Sequence, residues 1–286
     1  MSNILKNSWT WAATVIGAVF TVLPESVFGK CFWTKEVAKK IVVLWQSCPL
    51  KEEELNSLVG RIILAMIVFA VSVVLYGIYI VVIKNSVYIK GKNYYVQVKY
   101  GNIFRQKGWK VIPFDECFST KIGVATADIK ANSICGQYLE QYPIDNMREL
   151  IANSKIKPSE RNSFYQGKTR YESGVMLPRA DYFLLSFAKL DKDGKGYFAS
   201  REEYLQCLAR VWEELDAKYG YKDVCLPVLG AGITRIGDVN PTRQELVDMM
   251  IFSYKLSRHK IKTKLKIICI RGKKDGFSLD KIGSSI

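Results

Sequence analysis

Histidine is nearly absent from the sequence: His259 is the only one, and the seven cysteines include no Cys-x-x-Cys pair. Protein zinc sites are built from cysteine and histidine ligands at short, regular spacings. The sequence therefore predicts no metal site. The odd number of scattered cysteines indicates reduced thiols in a cytoplasmic domain. Cys225 and Cys269 lie in apolar runs and fit small core residues of strands.

Acidic residues are missing from two basic segments. Residues 84–110 contain seven basic side chains and residues 255–274 contain nine, within a formal net charge of +15. No helix-turn-helix, zinc-finger or aromatic RNA-binding motif accompanies this charge, so we expect no nucleic-acid partner. The first block directly follows the longest apolar run. The positive-inside rule then predicts that this block and the rest of the chain lie in the cytoplasm.

Charged residues are also missing from residues 62–83, IILAMIVFAVSVVLYGIYIVVI. At about 1.5 Å per helical residue this run crosses a hydrocarbon core of roughly 30 Å, and it predicts a transmembrane helix. A shorter apolar segment, residues 9–23, spans a membrane only if its helix extends to Phe28. It predicts a first transmembrane or re-entrant helix. A cleaved signal peptide is the competing interpretation, but no small-residue cleavage site follows the segment.

The segment between the two apolar runs has apolar residues at helical spacing from Val37 to Cys48. This pattern fits either an interfacial amphipathic helix or a small packed helix in a loop. Two spans form a hairpin that leaves both termini in the cytoplasm. We therefore expect a membrane region over residues 1–85, with transmembrane helices near 9–28 and 62–83, and a soluble domain over residues 86–286.

Strands and helices alternate in the second part of the chain. Predicted strands cover residues 94–100, 109–114, 182–188, 224–229 and 265–270, and predicted helices cover residues 200–219 and 242–257. Both helices begin with the pattern of a capping box, Ser200 with Glu203 and Thr242 with Glu245. This alternation predicts a three-layer α/β/α domain with a mixed, largely parallel sheet.

Residues 191–202, DKDGKGYFASRE, have acidic residues at positions one, three and twelve of a calcium-binding EF-hand loop, and a glycine at position six. Position five is Lys195, and a cation at a ligand position opposes calcium binding. The segment also has to connect a predicted strand to a predicted helix. We therefore interpret it as a structural connection and expect no calcium.

A glycine-rich turn follows an apolar strand in VCLPVLGAGITRIG, residues 224–237. Gly230 and Gly232 allow a sharp turn that exposes backbone N–H groups to an anion, which predicts a phosphate cradle. The dinucleotide-binding pattern needs a third glycine, where this chain has Arg235, and an acidic residue at the end of the next strand. Both are missing, which argues against a nicotinamide-binding domain. A phosphate cradle and a plain strand-to-helix turn remain.

Residues from about 94 to 270 resemble a macro domain, the α/β module that binds ADP-ribose. Residues 101–104 stand in place of its Gly-Asp-Ile-Thr-like turn, with Asn102 replacing the acid. Residues 111–118 stand in place of a strand and loop, without the usual catalytic Asn-Ala-Ala-Asn, and residues 230–234 match the turn that holds the diphosphate. The resemblance implies no catalytic residue and a ligand site formed by Asn102, Phe114, Asp115, Ser133, Gly136, Leu229, Gly230, Ala231, Gly232, Ile233, Thr234 and Arg235.

A membrane hairpin joined to a divergent macro domain is similar to the macro-type effectors of bacterial Thoeris antiphage systems. The resemblance implies a non-enzymatic receptor at the inner membrane with its macro-like domain in the cytoplasm. A partner TIR-domain enzyme would make the ligand from NAD, an ADP-ribose conjugate such as histidine-ADP-ribose. Ligand binding would then drive homo-oligomerisation and disruption of the membrane lipid. No cofactor other than this ligand is implied.

Two other functions stay open. A membrane-anchored ADP-ribosyl or NAD hydrolase would use Asp115, Glu116 or Glu172 as an acid or base, although each of these side chains also fits a solvated loop residue. A structural membrane anchor would use the basic segments to bind anionic lipid or nucleic acid, and it would be indifferent to nucleotides.

Overall fold

Two compact units make up the chain, Met1–Lys84 and Asn85–Ile286. The computed structural model describes residues 9–18, 40, 52–78, 85–238, 240–272 and 277–282. The predicted helix over residues 37–48, and the predicted spans beyond residues 18 and 78, lie largely or wholly outside the described residues. The boundary between a membrane region and a soluble domain stays a prediction.

The first unit contains one long apolar helix, α1, Glu52–Ile78, and a helical segment at residues 9–18. Trp9 packs edge-on against Phe69, with ring centres 5.6 Å apart. Among the described residues, one helix is long and apolar enough to cross a bilayer, and it covers 25 residues, Glu54–Ile78. Its apolar side chains are mostly exposed within the unit, as lipid contact requires. The helix begins ten residues before the predicted position 62, because Glu52–Arg61 continue it as a more polar first part.

The second unit is built on a nine-stranded sheet with the order β1-β2-β9-β7-β3-β5-β6-β8, in which β4 pairs with β5. The strands are β1 Ser86–Lys90, β2 Tyr95–Tyr100, β3 Trp109–Asp115, β4 Met176–Arg179, β5 Tyr182–Leu190, β6 Gly196–Phe198, β7 Val224–Pro227, β8 Arg235–Ile236 and β9 Lys264–Cys269. The central strands β2, β9, β7, β3 and β5 are mutually parallel. β1 is antiparallel to β2, and β4 and β6 are antiparallel to β5, whereas β6 and β8 are parallel. The predicted mixed, largely parallel sheet is confirmed.

Helices cover both faces of this sheet, which gives the predicted three layers. They are α2 Ile134–Gln141, α3 Met147–Asn153, α4 Arg201–Lys218 and α5 Arg243–Leu256. Successive residues of a strand point to opposite faces, and Val111 and Ile112 of β3 show the result. Val111 belongs to the larger core with α4 and α5, and Ile112 belongs to the core with α2 and α3.

The caps of the two long helices differ from each other. At α5 the full capping box is present, with Thr242 accepting from the N–H of Glu245 and the Glu245 carboxylate accepting from that of Thr242. At α4 only half of the predicted box forms: Ser200 accepts from the N–H of Glu203. The Glu203 carboxylate instead accepts from the N–H of Ala199 and pairs with Lys189, because β5 brings that lysine close.

The segment with the EF-hand pattern forms the hairpin between β5 and β6. Asp191 Oδ1 accepts from the N–H groups of Asp193 and Lys195, and Gly194 adopts φ +77°. The carboxylate therefore closes a tight turn of its own chain. The connection to α4 contains strand β6, which the sequence pattern does not reveal.

Candidate functional site

A cavity of about 470 Å³ opens at the carboxyl ends of the central parallel strands. Its walls come from the ends of β3, β5, β7 and β9, from the loop at residues 126–132 and from the start of α2. After β3 the chain crosses to β5 on one side, whereas β7 pairs on the other side of β3. Open α/β sheets bind ligands at such a reversal of strand order, outside the carboxyl ends of the strands.

The turn after β7 forms one wall of this cavity. Gly230 has φ +85°, and a Cβ atom there would lie 2.9 Å from Ile236 Cδ1. Gly232 has open space around it. The N–H of Ala231 donates to the carbonyl of Val228, whereas those of Gly232 and Ile233 have no recorded partner among the described residues. Two backbone donors on an exposed turn are therefore free to bind an anion.

The structure brings most of the predicted site residues to this cavity. Its lining includes Phe114, Asp115, Ser133, Gly230, Ala231, Gly232, Ile233 and Thr234. Ser133 also caps α2, because its Oγ accepts from the N–H of Gly136 at 3.0 Å. The described turn does not lead directly into a helix: β8 comes first, and α5 begins at Arg243. Ligand binding by these residues stays a prediction.

Asn102 and Gly136 lie outside the cavity lining and have structural contacts. Asn102 caps the 3-10 turn Ile103–Arg105, and its Oδ1 accepts from the N–H of Phe104 at 2.8 Å. Gly136 is buried, and a Cβ atom there would lie 2.2 Å from the carbonyl oxygen of Lys130. Gly136 thus lets the 126–132 loop approach α2 closely, which is a different role from contacting the ligand.

Leu229 and Arg235 also lie outside the lining. Leu229 is fully buried, and its carbonyl accepts from the Tyr204 hydroxyl at 3.0 Å. Arg235 lies in β8, where its Nη2 is 2.5 Å from Asp191 Oδ2. The predicted charge contact between Arg235 and a diphosphate is not supported by this placement, because β8 pairs with β6 and aims the arginine at the β5–β6 hairpin.

Arg243 is a cavity-lining cation that the sequence pattern does not single out. It is the first residue of α5, directly after the Thr242 cap, and its Nη1 donates to the carbonyl of Ile270 at 2.8 Å. That bond holds the guanidinium beside the end of β9. The available signal was its position at a helix N-terminus next to the glycine turn, where an anion is favoured.

Glu116 and Glu172, the other carboxylates that the sequence offers to a hydrolase, do not belong to the cavity lining among the described residues. Glu116 is buried behind β3, where Oε1 accepts from the Ser163 hydroxyl at 2.5 Å and from the N–H of Leu190 at 3.1 Å. Glu172 is half exposed and lies 3.8 Å from Arg210. Cys135 lines the cavity, but burial raises the pKa of its thiol well above the ordinary value, which opposes formation of a nucleophilic thiolate.

Of the two carboxylates that the described residues place in the cavity lining, Asp128 forms an ion pair with Lys121 at 3.0 Å, and Asp115 binds backbone N–H groups. Asp115 Oδ1 accepts from the N–H groups of Cys117 and Ser119, at 2.8 and 3.1 Å. Burial raises the pKa of Asp115, and these donors offset only part of that effect. Ionised Asp115 is therefore unfavourable in the folded state. Its contribution to stability is largest below the ordinary pKa of aspartate and is lost as the pH rises through the raised pKa.

Asp115→Asn is expected to raise the melting temperature at pH 7, because the amide oxygen keeps both hydrogen bonds without the buried charge. At a pH below the ordinary aspartate range the gain should vanish, since Asp115 is then neutral in both states. Thermal melts of both proteins between about pH 2.5 and 8 measure the difference. An equal or lower melting temperature for the variant at pH 7 would contradict the assigned direction of the pKa shift.

Comparison with known proteins identifies a matching family, a relative and similar solved structures. The family model described as "Thoeris protein ThsA, Macro domain" matches residues 96–270, more than half of the chain. Thoeris protein ThsA of Bacillus amyloliquefaciens (strain Y2) is 28% identical over 227 residues, covering 75% of each chain. Solved structures of the Oceanobacillus iheyensis macrodomain with ADP and with MES are similar at 10% identity and a TM-score of 0.37. They cover 65% of this chain and 88% and 89% of theirs.

Proposed function

Because the chain belongs to the ThsA macro-domain family of Thoeris antiphage defence proteins, we propose that it is a ligand-gated effector without enzymatic activity. It binds an ADP-ribose conjugate, such as histidine-ADP-ribose, which a partner TIR-domain enzyme makes from NAD. Binding drives assembly of several copies, and the membrane segments then disrupt the inner membrane.

The observation that carries this proposal is the exposed glycine turn in the cavity wall. The free N–H groups of Gly232 and Ile233 provide hydrogen-bond donors for phosphate oxygens, and Arg243 provides a positive charge on the same cavity. Charge-assisted hydrogen bonds of this kind are shorter and stronger than neutral ones. The cavity volume of about 470 Å³ lies within the usual range for sites that enclose a small molecule.

Coupling to the membrane is supported by the composition of the first unit. α1 is long and apolar enough to span a bilayer. Ligand binding can drive assembly only if the assembled form binds the ligand more tightly than the resting form does. The proposal therefore requires that ligand affinity rise with protein concentration in the membrane.

We expect ADP-ribose or its amino-acid conjugates to raise the melting temperature of the full chain in detergent. A ligand about 100-fold above its Kd adds about 2.7 kcal/mol, which corresponds to a shift of roughly 5–10 °C for a domain of this size. The same ligands should release dye from liposomes that contain the full chain. No melting shift with any of these compounds would remove the proposed function, whereas a shift without dye release would remove only the membrane step.

Two arginine substitutions test which charge meets the ligand. Arg243→Ala should weaken binding by about 10- to 100-fold, the effect of losing a charge-assisted bond. Arg235→Ala is the matched control and should leave affinity nearly unchanged, because Arg235 pairs with Asp191 on the surface. Isothermal titration of the three proteins separates these results. The reverse order of effects would restore the contact predicted from the sequence for Arg235.

A hydrolase remains the second candidate, and Asp115 is the observation that favours it. Its raised pKa and its place in the cavity suit a general acid. Incubation with NAD or an ADP-ribosylated protein, followed by chromatography, tests for products. Turnover that Asp115→Asn abolishes, with ligand binding retained, would replace the receptor proposal.

A further inference from the structure

One face of strands β1, β2 and β9 carries lysine and tyrosine side chains in cross-strand rows. Lys90 pairs with Tyr95, and Tyr95 pairs with Lys264 in the next strand. The neighbouring rows join Tyr88, Gln97 and Lys266, and Ser86, Lys99 and Ile268. We define the lysine face as Tyr88, Lys90, Tyr95, Gln97, Lys99, Lys264 and Lys266.

The opposite face of the same strands is the one that the sheet buries. Val96, Val98, Leu265 and Ile267 lie in the larger core with α4 and α5. On the side of the lysine face, helices α2 and α3 belong to a core with β3 and β5. At the end of the Ser86–Lys99 row, Ile268 packs in a third, small core with Ile103, Cys225 and Ile134 of α2. Within the described residues, the rows of Tyr88 and Lys90 belong to none of these cores, and Tyr88 remains 56% exposed.

Positive charge on this face is largely unbalanced. Lys266 forms an ion pair with Asp223 at 2.7 Å. For Lys90, Lys99 and Lys264, no ion pair is recorded within the described part of the chain, and the sequence from 84 to 110 contains no acidic residue. Tyrosines lie among these lysines: the rings of Tyr88 and Tyr95 are 5.6 Å apart, and Lys264 Nζ is 5.8 Å from the Tyr95 ring centre.

We propose that the lysine face docks on the anionic headgroups of a lipid bilayer. Tyrosine and lysine together are typical of membrane interfaces, where the ring and the lysine stem lie against the apolar boundary and the charge stays in the headgroup layer. β1 is an edge strand and the first strand after the apolar run that ends at Ile83. A bilayer in contact with this edge also covers the unpaired side of β1, which is otherwise open to pairing with other chains.

Nucleic acid is the other polyanion that lysines and tyrosines can bind. Stacking platforms for bases use exposed aromatic rings, but here the Tyr88 hydroxyl accepts from Gln97 Nε2 at 3.0 Å and the Tyr95 ring is flanked by lysine. The tyrosine rings of the lysine face are thus held by neighbouring polar and charged side chains, which does not favour stacking of bases on them. The lipid proposal does not depend on the ligand proposed for the cavity.

The test uses the full chain in nanodiscs, in which α1 is present whatever the lipid charge. Discs of phosphatidylcholine alone are compared with discs that also contain phosphatidylglycerol, and lysine acetylation is followed by mass spectrometry. Each lysine near an anionic surface contributes a factor of about five to partitioning. Acetylation of Lys90, Lys99 and Lys264 should therefore be about fivefold slower in anionic discs. Lys192 and Lys255, outside the face, serve as internal references.

High salt and matched charge variants complete the test. The protection should disappear at 1 M salt, where the screening length is about 3 Å. The triple variant K90Q/K99Q/K264Q should lose the lipid-dependent protection of residues 86–100 from hydrogen exchange. The control variant K155Q/K157Q/K192Q, with the same change in charge, should keep it. A normal melting curve and an unchanged ligand response of the first variant show that its fold is intact.

Equal acetylation rates in neutral and anionic discs would overturn the proposal. So would loss of protection in both triple variants, because only net charge would then matter. If DNA or RNA binds the protein in neutral discs, and the K90Q/K99Q/K264Q variant loses that binding without any lipid effect, the face is a nucleic-acid surface and the lipid proposal is wrong.

Discussion

Gly230→Ala is expected to destabilise the second unit by about 2–4 kcal/mol, the sum of a strained backbone and an overpacked core. Gly230 has φ +85°, which side chains with a Cβ rarely adopt, and the new methyl group would lie 2.9 Å from Ile236 and 3.3 Å from Leu246. Relief of that contact moves the turn that forms the cavity wall, so ligand binding should be lost as well.

Gly232→Ala is the matched control two residues away. Nothing lies within 4 Å of a Cβ atom at Gly232, so the variant should have nearly normal stability. Because Gly232 lines the cavity, its affinity for an ADP-ribose conjugate should still fall. Thermal melts and titrations of both variants separate strain from ligand contact. If Gly232→Ala were the more destabilised of the two, this account of the turn would be wrong.

Glu116→Gln is expected to cost about 3 kcal/mol, the lower end for a buried ion pair, because it leaves the partly buried Arg170 without its partner charge. Glu116 is 1% exposed, and Arg170 Nη1 lies 3.6 Å from its Oε2. The same carboxylate accepts from Ser163 and from the N–H of Leu190, so it joins three separate segments behind the cavity. Chemical denaturation of the full chain in detergent measures the loss.

Two further variants show whether Glu116 acts through structure alone. Glu172→Gln, which removes a half-exposed carboxylate, should change stability by less than about 0.5 kcal/mol. The double variant Glu116→Gln with Arg170→Gln should recover part of the lost stability, since neither buried charge then remains. A hydrolase that needs Glu116 as its base would instead show loss of turnover with normal stability.

The elements that the sequence predicts well are those with a regular apolar pattern over several residues and a clear boundary. Both long helices begin and end within a residue of their predicted limits, because Ser200 and Thr242 cap them. The strands β2, β3, β5, β7 and β9 are equally visible as apolar or alternating runs. Short pairings such as β6 and β8 leave no such signal, since their residues become strands only when tertiary contacts bring them together.

The candidate site also has a part that the sequence predicts and a part that it does not. The glycine turn is readable because backbone conformation restricts the residue type at Gly230. The direction in which a long side chain points depends on strand pairing, so the sequence indicates Arg235 as a ligand contact and gives no comparable signal for Arg243. Only the pairing of β8 with β6 shows that Arg235 meets Asp191. The half-formed box at Ser200 has a similar cause, because the partner Lys189 comes from another strand.

The antiparallel pairing of β1 with β2 affects the ligand affinity that a truncated fragment would show. Ser86 lies opposite Lys99, so the chain enters the second unit at the carboxyl end of the parallel strands, the same end as the cavity, two strands away from β9 in its wall. A fragment cut to begin at Asn85 would have a new α-amino group at this end, with a pKa of about 7.7–8.0 and hence a partial positive charge at neutral pH. That charge attracts a diphosphate. Affinities from such a fragment should therefore exceed those of the intact chain at low salt, and acetylation of the new terminus should remove the excess.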